Sequence, residues 1–233
     1  MTKKIFVHNV GGFLGSHISK RFADKNPTSP PEEGEEPAER WEVIGTLAKA
    51  SETKPHWVSR IVETTPEALE AAFLECDMTV LDCVNQMEVA ERQLAAIPAT
   101  EMISSPKVLV GVSSVMTWTR TSVDEEAPET PLTEDEYKRR RPQVDFKELL
   151  ALEKLVTKSK RDEVLRTHVV AAGITYGAEE DLLQPLFKGA WDCTPLPLLT
   201  LNDASNLLPT IHIADLCSVV EKVFEQVAMH LFV

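Results

Sequence analysis

The hydrophobic positions of this chain alternate between short apolar runs and longer stretches in which they recur at helical spacing. Residues 4–10 form an apolar run that ends at two glycines, and residues 13–23 follow with helical spacing. Further strands are predicted at 42–48, 57–63, 78–84, 107–114, 167–177 and 195–200, helices at 66–76, 87–97, 145–160 and 182–191, and a strand followed by a helix at 208–226. Apolar strands separated by helices of about ten residues are typical of a parallel sheet covered on both faces. The pattern therefore predicts an α/β fold with a doubly wound, mostly parallel sheet.

Three segments interrupt this alternation. Residues 24–40 combine prolines and glutamates with almost no apolar side chains, so we predict a disordered acidic insertion. Residues 119–144 form a long polar loop, and residues 182–210 form a small C-terminal lobe. Residues 1–233 are otherwise predicted to be a single domain, because 233 residues with 43% apolar side chains suffice for one sizeable core.

Charge and composition restrict the partners. The chain has 24 Lys and Arg against 37 Asp and Glu, which gives a formal net charge of -13. This sign disfavours nucleic acid and anionic membranes as partners, so we expect neither. The four cysteines form no C-x-x-C pair, the histidines lack metal-ligand spacing, and the N-terminus has no signal-peptide pattern. These features predict a reduced, cytoplasmic protein without a metal.

The glycine turn is the first candidate site. It lies between a predicted strand and a predicted helix, which is the setting of a dinucleotide-binding turn. Gly12 takes the position that approaches a pyrophosphate and Gly15 the position that packs helix on strand, whereas Asn9 stands where the first glycine is expected. Asparagine tolerates a left-handed backbone but carries a side chain. The candidate cofactor-binding residues are Asn9, Gly12, Phe13, Leu14 and Gly15.

The sequence GGFLG, the strand that ends at Ser113 and Ser114, and the late sequence PTIHIADL resemble the extended short-chain dehydrogenase/reductase family. The resemblance implies a Rossmann-like fold and a Tyr-x-x-x-Lys pair that transfers a proton while nicotinamide exchanges a hydride. When Glu153 is matched to the glutamate that follows this pair in the family, Asp145 falls at the tyrosine position and Leu149 at the lysine position. Neither side chain supplies that chemistry, so no catalytic residue is assigned.

One alternative keeps the chain an enzyme. Ser114, Tyr137 and Arg141 could replace the missing pair, which would give an NAD(P)-dependent epimerase or reductase acting on a nucleotide sugar or a similar small molecule. That arrangement needs both later side chains on one helix face, and Pro142 disfavours a helix at Arg141. The predicted strand at 42–48 has no carboxylate at its tip to bind a ribose. NAD(P) is therefore possible as a cofactor but not required.

A narrower resemblance covers about 105–225 and depends on VMTWTR, PLTEDEYKRRR, VVAAGITYGAEE and LLPTIHIADL. In this order these segments resemble the N-terminal dehydrogenase-like domain of the ciliary adenylate kinase type 7 family. The resemblance implies a place in the axoneme of a cilium or flagellum and axonemal proteins as partners. The phosphate-binding motif G-x-x-x-x-G-K-S/T does not occur in the chain, so we expect the dehydrogenase-like domain without its kinase.

The long polar loop carries a cluster of basic and aromatic side chains. Such a cluster on an acidic protein is either a solvated loop or a docking surface for an acidic partner. The candidate docking residues are Trp118, Tyr137, Lys138, Arg139, Arg140 and Arg141. The leading hypothesis is a catalytically degenerate domain with a structural or docking role, and a nucleotide-binding sensor without turnover remains a further alternative.

Overall fold

The structure is a computed structural model of the chain. It describes residues 2–27, 39–122, 130, 132–161, 164–179, 182–194 and 207–231. Most of the predicted acidic insertion (24–40) and the predicted strand at 195–200 lie outside the described residues. The predicted divisions at 119–144 and 182–210 are described only in part, and the division of the chain into these segments stays a prediction.

Within the described residues the chain forms eight strands and six α-helices. The strands are β1 (Thr2–Val7), β2 (Arg40–Gly45), β3 (Arg60–Ile61), β4 (Met78–Asp82), β5 (Lys107–Ser114), β6 (Leu165–Ala172), β7 (Ile174–Tyr176) and β8 (Thr210–His212). The helices are α1 (Phe13–Ala23), α2 (Pro66–Glu75), α3 (Met87–Ala95), α4 (Lys147–Lys158), α5 (Gln184–Trp191) and α6 (Ile213–Leu231).

The main sheet has six parallel strands in the order β3-β2-β1-β4-β5-β6. The chain moves outward from β1 through β2 to β3 and then returns to continue from β4 on the other side of β1. The strand order therefore reverses between β1 and β4, which makes their carboxyl ends the topological switch point of a doubly wound sheet. The predicted fold class is confirmed.

The central strands are buried on both faces, which explains their nearly continuous apolar sequences. Every residue of β4 is buried, as are all but the last residue of β5. Helix α1 packs on one face of the sheet through Leu14, Ile18 and Phe22, while α4 packs on the other through Leu149, Leu152 and Val156. Helix α6 lies beside α1, and Glu221 accepts hydrogen bonds from Arg21 of α1.

Two predicted strands differ from the structure. The apolar run at 57–63 is a strand only over Arg60 and Ile61, and this short strand pairs with β2 at the edge of the sheet. The run at 167–177 is divided at Gly173 into β6 and β7, and β7 pairs with β8 in a separate two-stranded sheet. A β-carbon on Gly173 would lie 2.7 Å from the Pro209 carbonyl oxygen, so the close approach of the 207–209 segment requires glycine there.

The part of the chain that the structure describes contains neither a membrane-spanning helix nor a metal-binding cluster. None of its helices combines the length and the apolar composition that crossing a bilayer requires. Those residues also contain no group of three or more His, Cys, Asp or Glu side chains arranged to hold a metal ion.

His8, directly after β1, makes the stability of the fold depend on pH. Its side chain is 1% exposed, and burial lowers its pKa from 6.5 to about 4. The unfolded chain therefore binds a proton between these two pKa values that the folded chain does not bind. The contribution of neutral His8 to the free energy of unfolding is fully present above the unfolded pKa, and it is lost as the pH falls through this window.

We expect the free energy of unfolding to fall by about 2 kcal/mol through His8 between about pH 7.5 and about pH 5. Urea unfolding of the wild type and of His8→Leu at both pH values measures this contribution. His8→Leu should remove it, whereas the same substitution at the exposed His56 should leave the dependence unchanged. An equal pH dependence in wild type and His8→Leu would contradict the prediction.

Candidate functional site

The glycine turn lies at the switch point, where β1 leads into α1. Asn9 adopts the left-handed backbone conformation that the first position of the turn requires, with φ of 51°. Its backbone N–H donates to the Thr46 hydroxyl at 3.0 Å, and its carbonyl oxygen accepts from the Gly12 N–H at 2.9 Å. The turn therefore has the expected backbone geometry and is held on two sides.

Gly15 is explained by close packing. A β-carbon at this position would lie 2.2 Å from the Asn9 carbonyl oxygen and 2.5 Å from the His8 carbonyl oxygen. These are backbone atoms that cannot move aside, so only glycine lets α1 approach the turn this closely. The position corresponds to the helix-packing glycine of a dinucleotide-binding turn.

Gly12 stands where a dinucleotide-binding turn faces a pyrophosphate, but its neighbour in this structure is the Asn9 side chain. It is the N-cap residue of α1, where a pyrophosphate would approach the backbone. A β-carbon on Gly12 would lie 2.3 Å from Asn9 Nδ2 and 2.9 Å from Asn9 Cγ. The space left by the missing side chain is therefore already filled by the Asn9 amide.

This contact tests whether the residues of the turn fit a dinucleotide. The Asn9 side chain is 8% exposed, and its Oδ1 has no hydrogen-bond partner among the described residues. A pyrophosphate placed against Gly12 would have to displace this buried amide. The turn keeps the backbone of a dinucleotide site, but its residues do not fit the pyrophosphate in this arrangement.

Glu52 approaches the same turn from a loop beyond β2. Its Oε2 would lie 3.0 Å from a β-carbon on Gly11. This oxygen is buried and has no hydrogen-bond partner among the described residues. Glu52 is not among the site residues predicted from the sequence, because it lies in a loop seven residues beyond the end of β2 and not at the tip of the predicted strand.

Leu14 and Phe13, the two remaining candidate residues of the turn, both contact other parts of the domain. Leu14 packs in the main core, and the Phe13 ring lies 4.8 Å from the ring of His17, centroid to centroid. His17 Nε2 lies 2.7 Å from the Ala178 carbonyl oxygen, in the loop after β7. Phe13 therefore supports a contact between α1 and that loop.

A second polar cluster lies at the end of β5, around the buried carboxylate of Glu153 in α4. Ser113 donates its hydroxyl to Glu153 Oε1 at 2.5 Å, and the Thr117 hydroxyl lies 2.9 Å from the same oxygen. Arg140 donates to Oε2 through Nε at 3.0 Å and Nη2 at 2.7 Å. We refer to these four residues as the Glu153 cluster.

Arg140 is therefore not part of an exposed docking surface, which corrects that prediction. The side chains of Arg140 and Glu153 are only 7% and 1% exposed. The Arg140 guanidinium also lies 5.8 Å from the ring centroids of Trp118 and Tyr137. Trp118 is half-buried beside it, so Trp118 helps to enclose the ion pair.

The neighbouring basic residues remain on the surface. Lys138, Arg139 and Arg141 are exposed, and Arg139 forms an ion pair with Glu136. Tyr137 is 44% exposed, and Lys138 lies 5.8 Å from the centroid of its ring. We refer to Tyr137, Lys138, Arg139 and Arg141 as the basic face.

The positions that match the acid–base pair of the dehydrogenase family carry no equivalent groups. Asp145 is exposed in a short 3-10 helix (Val144–Phe146), and Leu149 is 2% exposed inside the core. Glu153 is committed to the Arg140 guanidinium, and the Ser113 hydroxyl is committed to Glu153. The cluster therefore presents neither a phenol nor an ammonium group at the end of β5.

The alternative set of Ser114, Tyr137 and Arg141 does not form one helical pair. Tyr137 lies in a 3-10 helix (Glu134–Arg139) that ends before Arg141. The guanidinium over the Tyr137 ring is that of Arg140. Ser114 caps the 3-10 helix after β5 by accepting a hydrogen bond from the Met116 N–H at 3.3 Å.

Comparison with known proteins gives sequence relatives of one kind. No family model matches the chain. The chain is 35% identical over 160 residues to adenylate kinase 7 of Mus musculus, and the match covers 66% of this chain. It covers 26% of the mouse protein, so the chain spans about a quarter of the length of this relative.

Solved structures show the same fold at low sequence identity. UDP-N-acetylglucosamine 4-epimerase from Bacillus cereus has a TM-score of 0.65 at 17% identity, covering 96% of this chain and 72% of the epimerase. dTDP-glucose 4,6-dehydratase from Bacillus anthracis, in complex with NAD, has a TM-score of 0.67 at 16% identity, covering 95% of this chain and 71% of the dehydratase. The predicted resemblance is confirmed: the chain has the Rossmann-like fold of this epimerase and this dehydratase, and it is related in sequence to part of adenylate kinase 7.

Proposed function

We propose that this chain is a catalytically degenerate dehydrogenase-like domain that acts as a structural or docking component of a ciliary or flagellar axoneme. The ciliary part of the proposal comes from the resemblance to the adenylate kinase type 7 family. The degenerate part depends on the end of β5, where the family places its acid–base pair.

One observation supports the proposal that this domain has lost its catalytic activity. The side chains that match the family's pair are an exposed carboxylate, Asp145, and a buried hydrocarbon, Leu149. A carboxylate is ionised near neutral pH and cannot serve as the phenol, and leucine has no charge with which to lower the pKa of a neighbour. Without these groups nothing at the matched positions moves the proton that accompanies hydride transfer.

The Glu153 cluster supports a structural use of the same region. Two ionised side chains that are both more than nine-tenths buried fix the segment before α4 onto β5 and α4. Removing one member of such a pair leaves an uncompensated buried charge. This role requires permanent contacts, whereas catalysis requires groups that are free to exchange protons with a substrate.

The basic face supports docking. It presents three exposed cationic side chains and a partly exposed tyrosine on a protein with a net charge of -13. Arginine and tyrosine are enriched at protein interfaces, and a local positive surface favours an acidic partner. We therefore propose that the basic face binds an acidic surface of an axonemal protein.

The first test is a turnover assay. We expect the purified chain to produce no NAD(P)H absorbance change and no epimerised sugar when it is incubated with NAD(P) and UDP-sugars, because the proton-transfer groups are missing. An active epimerase in the same buffer is the control. Turnover at about 1 per second or faster, within the usual enzyme range, would contradict the proposal.

The second test concerns the basic face. Lys138→Glu/Arg141→Glu should reduce retention of the chain by salt-extracted axonemes at least about fivefold, which corresponds to about 1 kcal/mol of binding free energy. Lys154→Glu/Lys158→Glu is the matched control, since it reverses two exposed charges on α4. Equal retention of both variants, or a fully soluble wild type in fractionated ciliated cells, would refute docking through this face.

The third test distinguishes a structural Glu153 cluster from a functional one. Arg140→Met should lower the free energy of unfolding by about 3–5 kcal/mol, because it leaves the Glu153 carboxylate buried and unpaired. Arg140→Met/Glu153→Leu should recover most of that loss, and Arg139→Met in the exposed pair should cost at most about 1 kcal/mol. Urea unfolding measures all three variants. An equal loss in the single and double variants would show that the ion pair is not the stabilising contact.

A further inference from the structure

The glycine turn contains a feature that the loss of the acid–base pair does not explain. Two polar side chains, Asn9 and Glu52, lie against its two central glycines, and each has a buried oxygen without a partner among the described residues. Unsatisfied buried polar atoms are costly, so their presence at one turn requires an explanation. Their positions relative to Gly11 and Gly12 provide it.

Asn9 is held in place by its backbone. The left-handed φ of 51°, the hydrogen bond from its N–H to Thr46 and the bond from Gly12 to its carbonyl oxygen fix its backbone at the start of the turn. Asn9 is more than nine-tenths buried, and its side-chain amide nitrogen lies 2.3 Å from where a β-carbon of Gly12 would be. In a dinucleotide-binding turn, the glycine at this position leaves the space in which the backbone approaches a pyrophosphate.

Glu52 closes the neighbouring part of the turn. Its carboxylate lies against Gly11, one residue before the N-cap of α1. A negative charge here complements the partial positive charge of the helix N-terminus. The same charge repels an incoming phosphate, because both groups compete for the same positive end of the helix.

We infer that Asn9 and Glu52 occlude the dinucleotide cradle of this domain from within. Asn9 fills the space that the pyrophosphate needs, and Glu52 supplies the negative charge that the pyrophosphate would otherwise bring. The cradle keeps the backbone of its fold while its own side chains take the place of the cofactor. This inference rests on the proposed function in one respect, since a domain without hydride chemistry does not require the cofactor.

Two substitutions of Asn9 should differ in their effect on the cradle. Asn9→Gly removes the occluding amide and suits the left-handed backbone, so the turn should keep its conformation. Asn9→Asp keeps the size of the side chain and adds a negative charge, so the cradle should stay closed. Glu52→Gln removes the second obstacle, and Glu63→Gln removes a charge from an exposed position elsewhere.

The test is NADH binding to the intact chain, followed by NADH fluorescence and by calorimetry. Asn9→Gly should bind NADH at least about tenfold more tightly than the wild type, and Asn9→Gly/Glu52→Gln more tightly still. Asn9→Asp and Glu63→Gln should bind no better than the wild type. Circular dichroism confirms that each variant is folded, and Glu52→Gln alone should give a smaller gain if Asn9→Gly does not fold.

Three results would overturn the inference. Equal affinity of the wild type and Asn9→Gly would show that Asn9 does not block the cradle. Weaker binding by Asn9→Gly would show that Asn9 is a ligand of the nucleotide. Tight NADH binding by the wild type without turnover refutes the occlusion but leaves the proposed function intact. Conversely, tighter NADH binding by Asn9→Gly together with a wild type that does not bind axonemes would support the occlusion and refute the proposed docking function.

Discussion

The buried carboxylate of Glu153 is the constraint around which the carboxyl end of β5 is arranged. It joins the end of the strand through Ser113, the following turn through Thr117 and the segment before α4 through Arg140. A charge at this depth is tolerated only when its oxygens are satisfied and its charge is balanced. Arg140 must therefore enter the domain, and the half-buried Trp118 and partly exposed Tyr137 lie beside it as a consequence.

The glycine turn and the carboxyl end of β5 can be compared with the same places in enzymes of this fold. In enzymes of this fold the polar groups there are directed at a cofactor and a substrate. In this chain Arg140 satisfies Glu153, while Asn9 and Glu52 lie against the glycine turn. At both places these side chains thus lie against other parts of the domain. This arrangement agrees with a domain whose role is to hold a shape and a surface.

Most of the fold could be predicted because it depends on local patterns. The apolar runs of β1, β4 and β5 and the helical spacing of α1 and α4 agree with the predicted elements to within a few residues. A strand was predicted at 57–63, but its reduction to the short edge strand β3 was not, and neither was the break at Gly173. Their extent depends on which strand lies alongside and on how closely the 207–209 segment approaches. The left-handed turn at Asn9 followed from the residue type, but the direction of its side chain did not.

The sequence by itself determined the doubly wound sheet and the position of the glycine turn, since residue type and spacing fix both of them. Only the tertiary structure decided that Arg140 is buried while its neighbours are exposed, because four adjacent basic residues look alike until Glu153 brings one of them inside. It also decided that Glu52 reaches the glycine turn. A loop has no hydrophobic periodicity from which the position of its side chains could be predicted. Contacts between segments that are distant in the sequence form only when the sheet brings those segments together.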